Sequence, residues 1–216
     1  MRSVKEGGLT LTDGNGKLGR VMNISLPPRL SCDTSMPCFS ARRCYALRHA
    51  YLPYKEVRAA WDGNYAVWRG EGPAAYFGAV RKAVAERRPA LFRWHVGGDV
   101  PDLVPGEADA YIGGMVDVAD RFPDTVFWAF TKRYGAARRN ARMIRSAGNL
   151  NVVLSAWPGV RLDGRTRRAW PVCYLDDPKA PDPRIPEGAF RCPGGCDKCL
   201  KCAGLKPGEA VAIRAH

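Results

Sequence analysis

Four cysteines near the C-terminal end carry the strongest chemical signal in the sequence. They are Cys192, Cys196, Cys199 and Cys202. They fall within eleven residues at C-x3-C-x2-C-x2-C spacing, and Gly194 and Gly195 allow the backbone between them to turn back on itself. Thiolates this close together can bind one metal centre. Adjoining intervals of this kind are more typical of iron–sulfur clusters, whereas zinc favours C-x2-C pairs separated by a longer spacer. Disulfides or four unrelated thiols are the alternative.

A second group of cysteines lies near the N-terminal end. Cys32, Cys38 and Cys44 have C-x5-C-x5-C spacing and follow a predicted strand. Three thiols on such a loop fit a cluster site with one open iron position, and the alternative is that one or two are buried apolar cysteines. Cys173 either completes this site as a fourth ligand or belongs to the core, and the sequence favours the core.

Polar residues follow two further predicted strands and are candidate ligand-binding residues. His95 is a candidate ligand, proton carrier or structural histidine. Gly97 and Gly98 allow close backbone approach to a bound group, and Asp99 contacts that group or caps a turn. Lys132 binds a carboxylate or phosphate, or is an exposed lysine. We therefore predict a small-molecule site at this end of the sheet.

Composition limits the class of protein. The 216 residues include 34 Lys and Arg against 21 Asp and Glu, a formal net charge of +13. That charge suits nucleic acid or another polyanionic partner. The alternatives are a coding bias toward arginine and neutralisation by bound thiolates. The sequence has no apolar run long enough to span a bilayer, and its N-terminus lacks the apolar core of a signal peptide. We therefore expect a cytoplasmic protein without a membrane contact, and disulfides are rare in the cytoplasm. Hydrolase and kinase motifs are not evident.

Strand-like and helix-like segments alternate along the chain at roughly thirty-residue spacing, which predicts a parallel sheet with helices outside. The turn residues 13–16, between strand-like segments at 9–12 and 17–26, predict a β-hairpin that opens the chain. The predicted strands are 21–26, 90–96, 125–130, 150–155, 170–175 and 209–213, and the predicted helices are 54–68, 73–88, 106–122 and 136–147. So few strands favour a partial (β/α) barrel over a closed one. We assign residues 1–188 to this α/β unit and residues 189–216 to a Cys-rich C-terminal segment.

Two short motifs resemble the radical S-adenosylmethionine (SAM) superfamily. Cys44-Tyr45-Ala46 is similar to the end of its cluster loop, and Gly97-Gly98-Asp99 is similar to its GGE motif. The resemblance implies a radical-SAM-like partial barrel, a [4Fe-4S] cluster and SAM, with Asp99 and Lys132 positioning the methionyl end. The cluster loop of the superfamily has C-x3-C-x2-C spacing, whereas Cys32, Cys38 and Cys44 have C-x5-C-x5-C spacing. Asp99 is one methylene shorter than the glutamate of the GGE motif.

The chain as a whole resembles an actinobacteriophage family, the gene product eighty-eight family. In that family two cysteine groups flank Trp-His and Thr-Lys strands, as Trp94-His95 and Thr131-Lys132 do here. The resemblance implies a phage-encoded protein in the host cytoplasm. Our leading hypothesis is an iron–sulfur protein with one or two [4Fe-4S] clusters and SAM or another ligand at an open iron. The alternative is a zinc-stabilised, basic nucleic-acid-binding protein without catalysis. A third hypothesis is a redox or regulatory cluster protein that acts on a host protein.

Overall fold

The computed structural model describes residues 3–16, 18–40 and 43–215, with the side chain of Ser40 left out. Across these residues, nine strands form one sheet. They are β1 (Ser3–Glu6), β2 (Leu9–Thr12), β3 (Met22–Ile24), β4 (Leu91–Trp94), β5 (Val126–Thr131), β6 (Leu150–Ala156), β7 (Val172–Asp176), β8 (Phe190–Arg191) and β9 (Ala210–Arg214). Their order is β1-β2-β3-β4-β5-β6-β7-β9-β8. The sheet is therefore open, with β1 and β8 at its edges.

The helices lie in the connections between these strands. They are α1 (Pro28–Ser31), α2 (Pro37–Ser40), α3 (Lys55–Gly70), α4 (Gly72–Arg87), α5 (Glu107–Arg121), α6 (Tyr134–Arg139), α7 (Ala141–Ser146), α8 (Gly164–Ala169) and α9 (Cys196–Cys199). A π-helical turn spans Leu47–Tyr51 and a 3-10 turn spans Lys201–Gly204. Every pair of neighbouring strands from β3 to the β8 edge of the sheet is parallel. The predicted α/β class with a mostly parallel sheet is therefore confirmed. The partial barrel itself stays a prediction.

The N-terminal strands are antiparallel, as the hairpin prediction required. β1 and β2 are joined by Gly7 and Gly8, which both have positive φ and form the tight turn. The predicted turn at residues 13–16 lies in the connection from β2 to β3, which pair antiparallel at Thr12 and Asn23 as predicted, whereas the hairpin of β1 and β2 was not predicted. Lys17, at which the second predicted strand begins, lies outside the described residues.

The predicted basic helix over residues 136–147 is wrong as a single element. It is divided at Asn140 into α6 and α7. The side chain of Asn140 donates from Nδ2 to the carboxylate of Asp109 at 2.6 Å and to the carbonyl of Ala136 at 2.9 Å. These bonds hold Asn140 against α5, so a tertiary contact ends the first helix.

Side chains alternate between the two faces of the sheet, as parallel strands require. On β4, Phe92 and Trp94 pack among the helices, whereas Arg93 between them faces the other side. The helix side is an aromatic core in which the Trp68 and Tyr111 rings lie 4.8 Å apart at a T-shaped angle. This packing fixes the carboxyl end of β4, which carries His95.

The C-terminal segment covers the opposite face of the sheet. The Asn151 side chain on β6 donates to the carbonyls of Cys202 at 2.9 Å and Leu205 at 3.1 Å. The same segment contributes β8 and β9 to the sheet, and the division at residue 188 stays a prediction. In the part of the chain that the structure describes, no helix is both long and apolar enough to cross a membrane.

Candidate functional site

A cavity of about 1220 Å³ opens on the face of the sheet opposite the helix core, and all eight cysteines line it. None of the eight forms a disulfide bond. The seven predicted metal ligands are thus brought to one cavity, together with Cys173. As the described side chains stand, no group of three or more His, Cys, Asp or Glu residues is arranged to hold a metal ion.

The N-terminal cysteine group lies beyond the end of β3. Cys32 ends α1 with its N–H on the carbonyl of Pro28 at 3.3 Å, and Cys38 is buried in α2. The Cys44 thiol accepts the N–H of Leu47 at 3.4 Å. Burial, and then the nearby Asp99 carboxylate, raise the pKa of Cys32 far above its usual range. The thiol is therefore protonated, and a metal that binds there must displace its proton.

The C-terminal cysteine group lies on short elements beside β9. Cys192 follows β8 and donates its N–H to the Ala212 carbonyl at 2.9 Å. Cys196 and Cys199 form the two ends of α9, and Cys202 lies in the 3-10 turn. Burial and the neighbouring Cys192 raise the pKa of Cys202 to about 12. Cys38 is buried and the other six predicted ligands are half-buried, and each group brings its thiols near one another.

Cys173 on β7 joins the C-terminal group. It is 7% exposed and packs with Val153 and Leu205, against which Cys192 and Cys202 also pack. Burial, and then Cys202, raise its pKa to about 12. It is therefore a core residue at the wall of the cavity. The structure places it beside the C-terminal thiols, and the core position is the alternative that the sequence favoured over a fourth ligand of the N-terminal group.

Two half-buried cations accompany the two cysteine groups. Lys132 is partly buried, and its Nζ lies 5.7 Å from the centre of the Trp157 ring. Burial by itself lowers the pKa of Lys132, but Cys38, Asp99 and Cys32 raise it, and the net shift is upward. Lys132 is thus a charged group of the cavity, not an exposed surface lysine.

Arg93 is the second cation, and sequence reasoning missed it. Its guanidinium hydrogen-bonds Cys196 and interacts with the charges of Cys202 and Cys173, and it lies 4.9 Å above the centre of the Phe130 ring. Burial lowers its pKa, although the neighbouring thiols oppose that shift. The sequence signal that could have found Arg93 is its position as a single charged residue between the aromatic residues Phe92 and Trp94 of a strand. Because side chains alternate along a strand, such a residue points to the face opposite the aromatic core.

His95 has an unusual backbone conformation and an unpaired ring nitrogen. Its φ of 54° is left-handed, and its Nε2 lies 2.9 Å from the Tyr111 hydroxyl, which lies 2.8 Å from the Tyr76 hydroxyl. Burial, and then Arg93, lower the pKa of His95 to about 3, so the ring is neutral. If Tyr76 donates to Tyr111 and Tyr111 donates to Nε2, every hydroxyl hydrogen has an acceptor. The remaining ring hydrogen is then on Nδ1, which has no partner and belongs to a residue lining the cavity.

Asp99 is held by the protein at both of its carboxylate oxygens. Oδ1 accepts from the Thr131 hydroxyl at 2.7 Å and the Val100 N–H at 2.8 Å, and Oδ2 accepts from the Lys132 N–H at 2.8 Å. The Asp99 N–H donates to Ser31 Oγ at 3.2 Å. Asp99 therefore ties the ends of β4, β5 and α1 together, which is the turn-capping role that the sequence left open.

The two glycines before Asp99 are approached by the protein itself. A Cβ on Gly97 would lie 2.2 Å from the Trp61 ring, and a Cβ on Gly98 would lie 2.5 Å from the Leu26 carbonyl oxygen. Gly98 also has a φ of +84°, which favours glycine. These glycines allow α3 and the end of β3 to pack closely against the end of β4.

A family model described as Gene product 88 matches residues 4–204. The matched range begins in β1 and includes all eight cysteines. No curated protein matches the chain, and no solved structure matches it.

Proposed function

The chain belongs to the Gene product 88 family, and we propose that it is an iron–sulfur protein whose cysteines hold one or two [4Fe-4S] clusters in the cavity. The observation that carries this proposal is that all eight cysteines line one cavity and none of them forms a disulfide bond. A thiolate in either group is unfavourable without a metal, because burial desolvates it and the neighbouring thiols oppose its charge, so these thiols stay protonated until a metal binds. A bound metal cluster removes both costs.

Two separate cluster sites fit the charge distribution better than one shared site. Lys132 interacts with Cys38 and Cys32, Arg93 interacts with Cys196 and Cys202, and Cys173 is near both cations. Apart from Cys173, each site would therefore have its own half-buried cation. A cation beside each cluster offsets the net negative charge of its thiolates in a medium of low dielectric constant.

The N-terminal site has three cysteines, so a [4Fe-4S] cluster there leaves one iron without a thiolate. Such an iron, when the cluster is bound and reduced, supplies an electron to a ligand attached to it. Lys132 Nζ and His95 Nδ1–H are hydrogen-bond donors of the same cavity, so they suit a ligand with an anionic group, such as the carboxylate of SAM. Asp99 holds the Lys132 backbone in place. These proposed roles of the open iron, Lys132 and Asp99 are the ones expected of a protein with a radical-SAM-like partial barrel.

Metal analysis of protein prepared without oxygen tests the cluster. We expect iron and acid-labile sulfide in equal amounts, broad visible absorption, and an electron paramagnetic resonance signal on reduction. The triple variant of Cys32, Cys38 and Cys44 to serine should lose the iron of one cluster and keep the other. A colourless protein with stoichiometric zinc would refute the proposal and favour the zinc alternative.

The open iron has its own test. Loaded protein should bind SAM in equilibrium dialysis and form 5′-deoxyadenosine on reduction. Lys132→Met should weaken SAM binding about tenfold, because the loss of one charged contact costs about 1.4 kcal/mol. Lys198→Met is the matched control, because Lys198 is exposed on α9. A loaded protein without binding or product would remove the enzymatic part and leave the cluster.

A second candidate function is supported by an exposed basic surface on α7 and α8. Arg142, Arg165 and Arg168 are exposed there, and Arg145 joins the two helices through the Ala169 carbonyl at 3.0 Å. Such a surface suits phosphate contacts with nucleic acid. Binding should then weaken steeply with salt, and replacing Arg165 and Arg168 by Gln should reduce the salt dependence by about 0.9 per lost phosphate contact. Binding that does not depend on salt would refute this role.

A further inference from the structure

The rim of the cavity carries exposed aromatic side chains. Among the described residues, three Phe, Tyr or Trp side chains are exposed, and two of these, Tyr45 and Tyr54, line the cavity. Tyr45 is 46% exposed and Tyr54 is 56% exposed. The Tyr45 ring also stacks on the ring of His49, with centroids 5.2 Å apart and planes 28° apart. The rim therefore presents flat ring surfaces to a molecule that enters the cavity.

The lining of the cavity is also positively charged. Seven Lys and Arg side chains line it against three Asp and Glu side chains. Among the described lining residues, Glu56 is the one exposed carboxylate, whereas four cations are exposed: Lys5, Arg43, Arg48 and Arg214. These cations come from β1, from the segment around Cys44 and from β9, and six strands lie between β1 and β9 in the sheet. The positive charge is therefore spread around the rim.

A single strand of nucleic acid complements both features of this rim. Its phosphates repeat along the chain and match cations that are spread out, whereas a mononucleotide carries its phosphates at one end. Its unpaired bases can stack on aromatic side chains. In a duplex the base faces are covered by the neighbouring base pairs, so they do not reach Tyr45 and Tyr54. An acidic peptide supplies the negative charge without the flat bases.

We propose that the rim of the cavity binds single-stranded nucleic acid, with phosphates on the exposed cations and bases stacked on Tyr45 and Tyr54. This inference names the substrate class of the same cavity, and it rests on the proposed iron–sulfur function for any chemistry on the bound strand. The binding itself rests on the rim. This surface differs from the basic surface of α7 and α8, whose arginines do not line the cavity.

Replacement of the two exposed rings tests the stacking. The probe is a fluorescently labelled strand of about 12 thymidines, which is long enough for one site. The double variant Tyr45→Leu and Tyr54→Leu should bind it more than about tenfold more weakly, with an unchanged salt dependence. Tyr54 precedes α3 without a capping bond from its side chain, so the helix should be kept. Phe190→Leu is the matched control, because Phe190 is exposed outside the cavity and its replacement should leave the affinity unchanged.

Replacement of two rim cations tests the phosphate contacts. The double variant Lys5→Gln and Arg214→Gln should reduce the slope of log affinity against log salt by about 0.7 for each lost phosphate contact. The matched control is Arg87→Gln with Arg121→Gln, which removes two exposed charges at the ends of α4 and α5, outside the cavity. It should leave the slope unchanged. Equal slopes in the two double variants would overturn the phosphate contacts at the rim.

The wild-type protein gives a test that does not depend on the folding of any variant. An abasic strand of the same length should bind about tenfold more weakly than the thymidine strand, and a duplex or polyglutamate should also bind more weakly. Equal binding of the abasic strand, the duplex or polyglutamate overturns the inference. A uridine strand of the same length is the RNA arm, and base-dependent binding of either strand supports the inference.

Iron and sulfide analysis of the same preparation separates this inference from the proposed function. Protein that binds the strand through the rim but contains no iron and sulfide would refute the proposed function and keep the inference. Protein that contains clusters but does not bind either strand would refute the inference alone.

Discussion

Replacing Asp99 by asparagine should destabilise the folded protein, because Asp99 connects the ends of three elements. The residue is 5% exposed, and its two carboxylate oxygens accept three hydrogen bonds from within the chain. Asparagine keeps one oxygen and presents an NH₂ group where the other oxygen was. If the remaining oxygen keeps the bonds from Thr131 and Val100, the NH₂ group faces the N–H of Lys132. Two donors then face each other.

The expected loss follows from these contacts. A partly buried N–H without its acceptor costs about 1–3 kcal/mol. The two surviving bonds also change from charged to neutral acceptors, which weakens them by about 1 kcal/mol together. The free energy of unfolding should therefore fall by about 2–4 kcal/mol, or roughly 4–16 °C in melting temperature for a chain of this size.

Urea unfolding followed by tryptophan fluorescence measures this loss. Asp102→Asn is the matched control, since the side chain of Asp102 is 35% exposed and lies 3.9 Å from Arg133. It should lose less than about 1 kcal/mol. If Asp99→Asn is as stable as this control but loses affinity for the ligand of the open iron, the structural role of Asp99 is refuted and a ligand-binding role takes its place.

Three further predictions concern packing and pH. Gly97→Ala should destabilise the protein by more than about 2 kcal/mol in urea unfolding, because its Cβ would overlap the Trp61 ring. Gly63→Ala is the control: the residue has open space around it, and the variant should stabilise α3 by about 0.5–1 kcal/mol. Equal effects of the two substitutions would refute the close packing at Gly97. Because the pKa of His95 is lowered from 6.5 to about 3, the unfolded chain binds a proton that the folded chain does not, so stability should fall by several kcal/mol as pH decreases from about 6.5 toward about 3. His95→Gln should remove that part of the pH dependence, and an unchanged slope would show that His95 is not buried as a neutral ring. Burial alone raises the pKa of Glu107. Hydrogen bonds from Trp68 Nε1 at 2.8 Å and from neighbouring N–H groups lower this pKa by more than burial raises it, so its net shift is downward. Glu107→Gln should therefore cost about 1–3 kcal/mol near neutral pH and progressively less as the pH falls through the carboxyl pKa, and a cost that does not vary with pH would contradict this.

Local patterns in the sequence were sufficient for the class of fold. The alternation of apolar strands with helices such as 54–68, observed as α3, required a parallel sheet with helices between its strands. Period-two side-chain alternation predicts which strand residues share a face. The spacing of Cys192 to Cys202 identified one candidate metal site, because eleven residues are short enough for their mutual reach to follow from the chain alone.

The tertiary structure decided what lies opposite those cysteines. Cys173 and Arg93 are distant in sequence from the C-terminal group, and they meet it because β4 and β7 belong to the same sheet. Asn140 ends a helix through a contact with α5, which no local propensity predicts. Asp99 and the glycines before it serve the packing of neighbouring elements. Spacing along a chain determines which groups are near one another only over a few residues, whereas strand pairing sets the distances between residues far apart in the sequence.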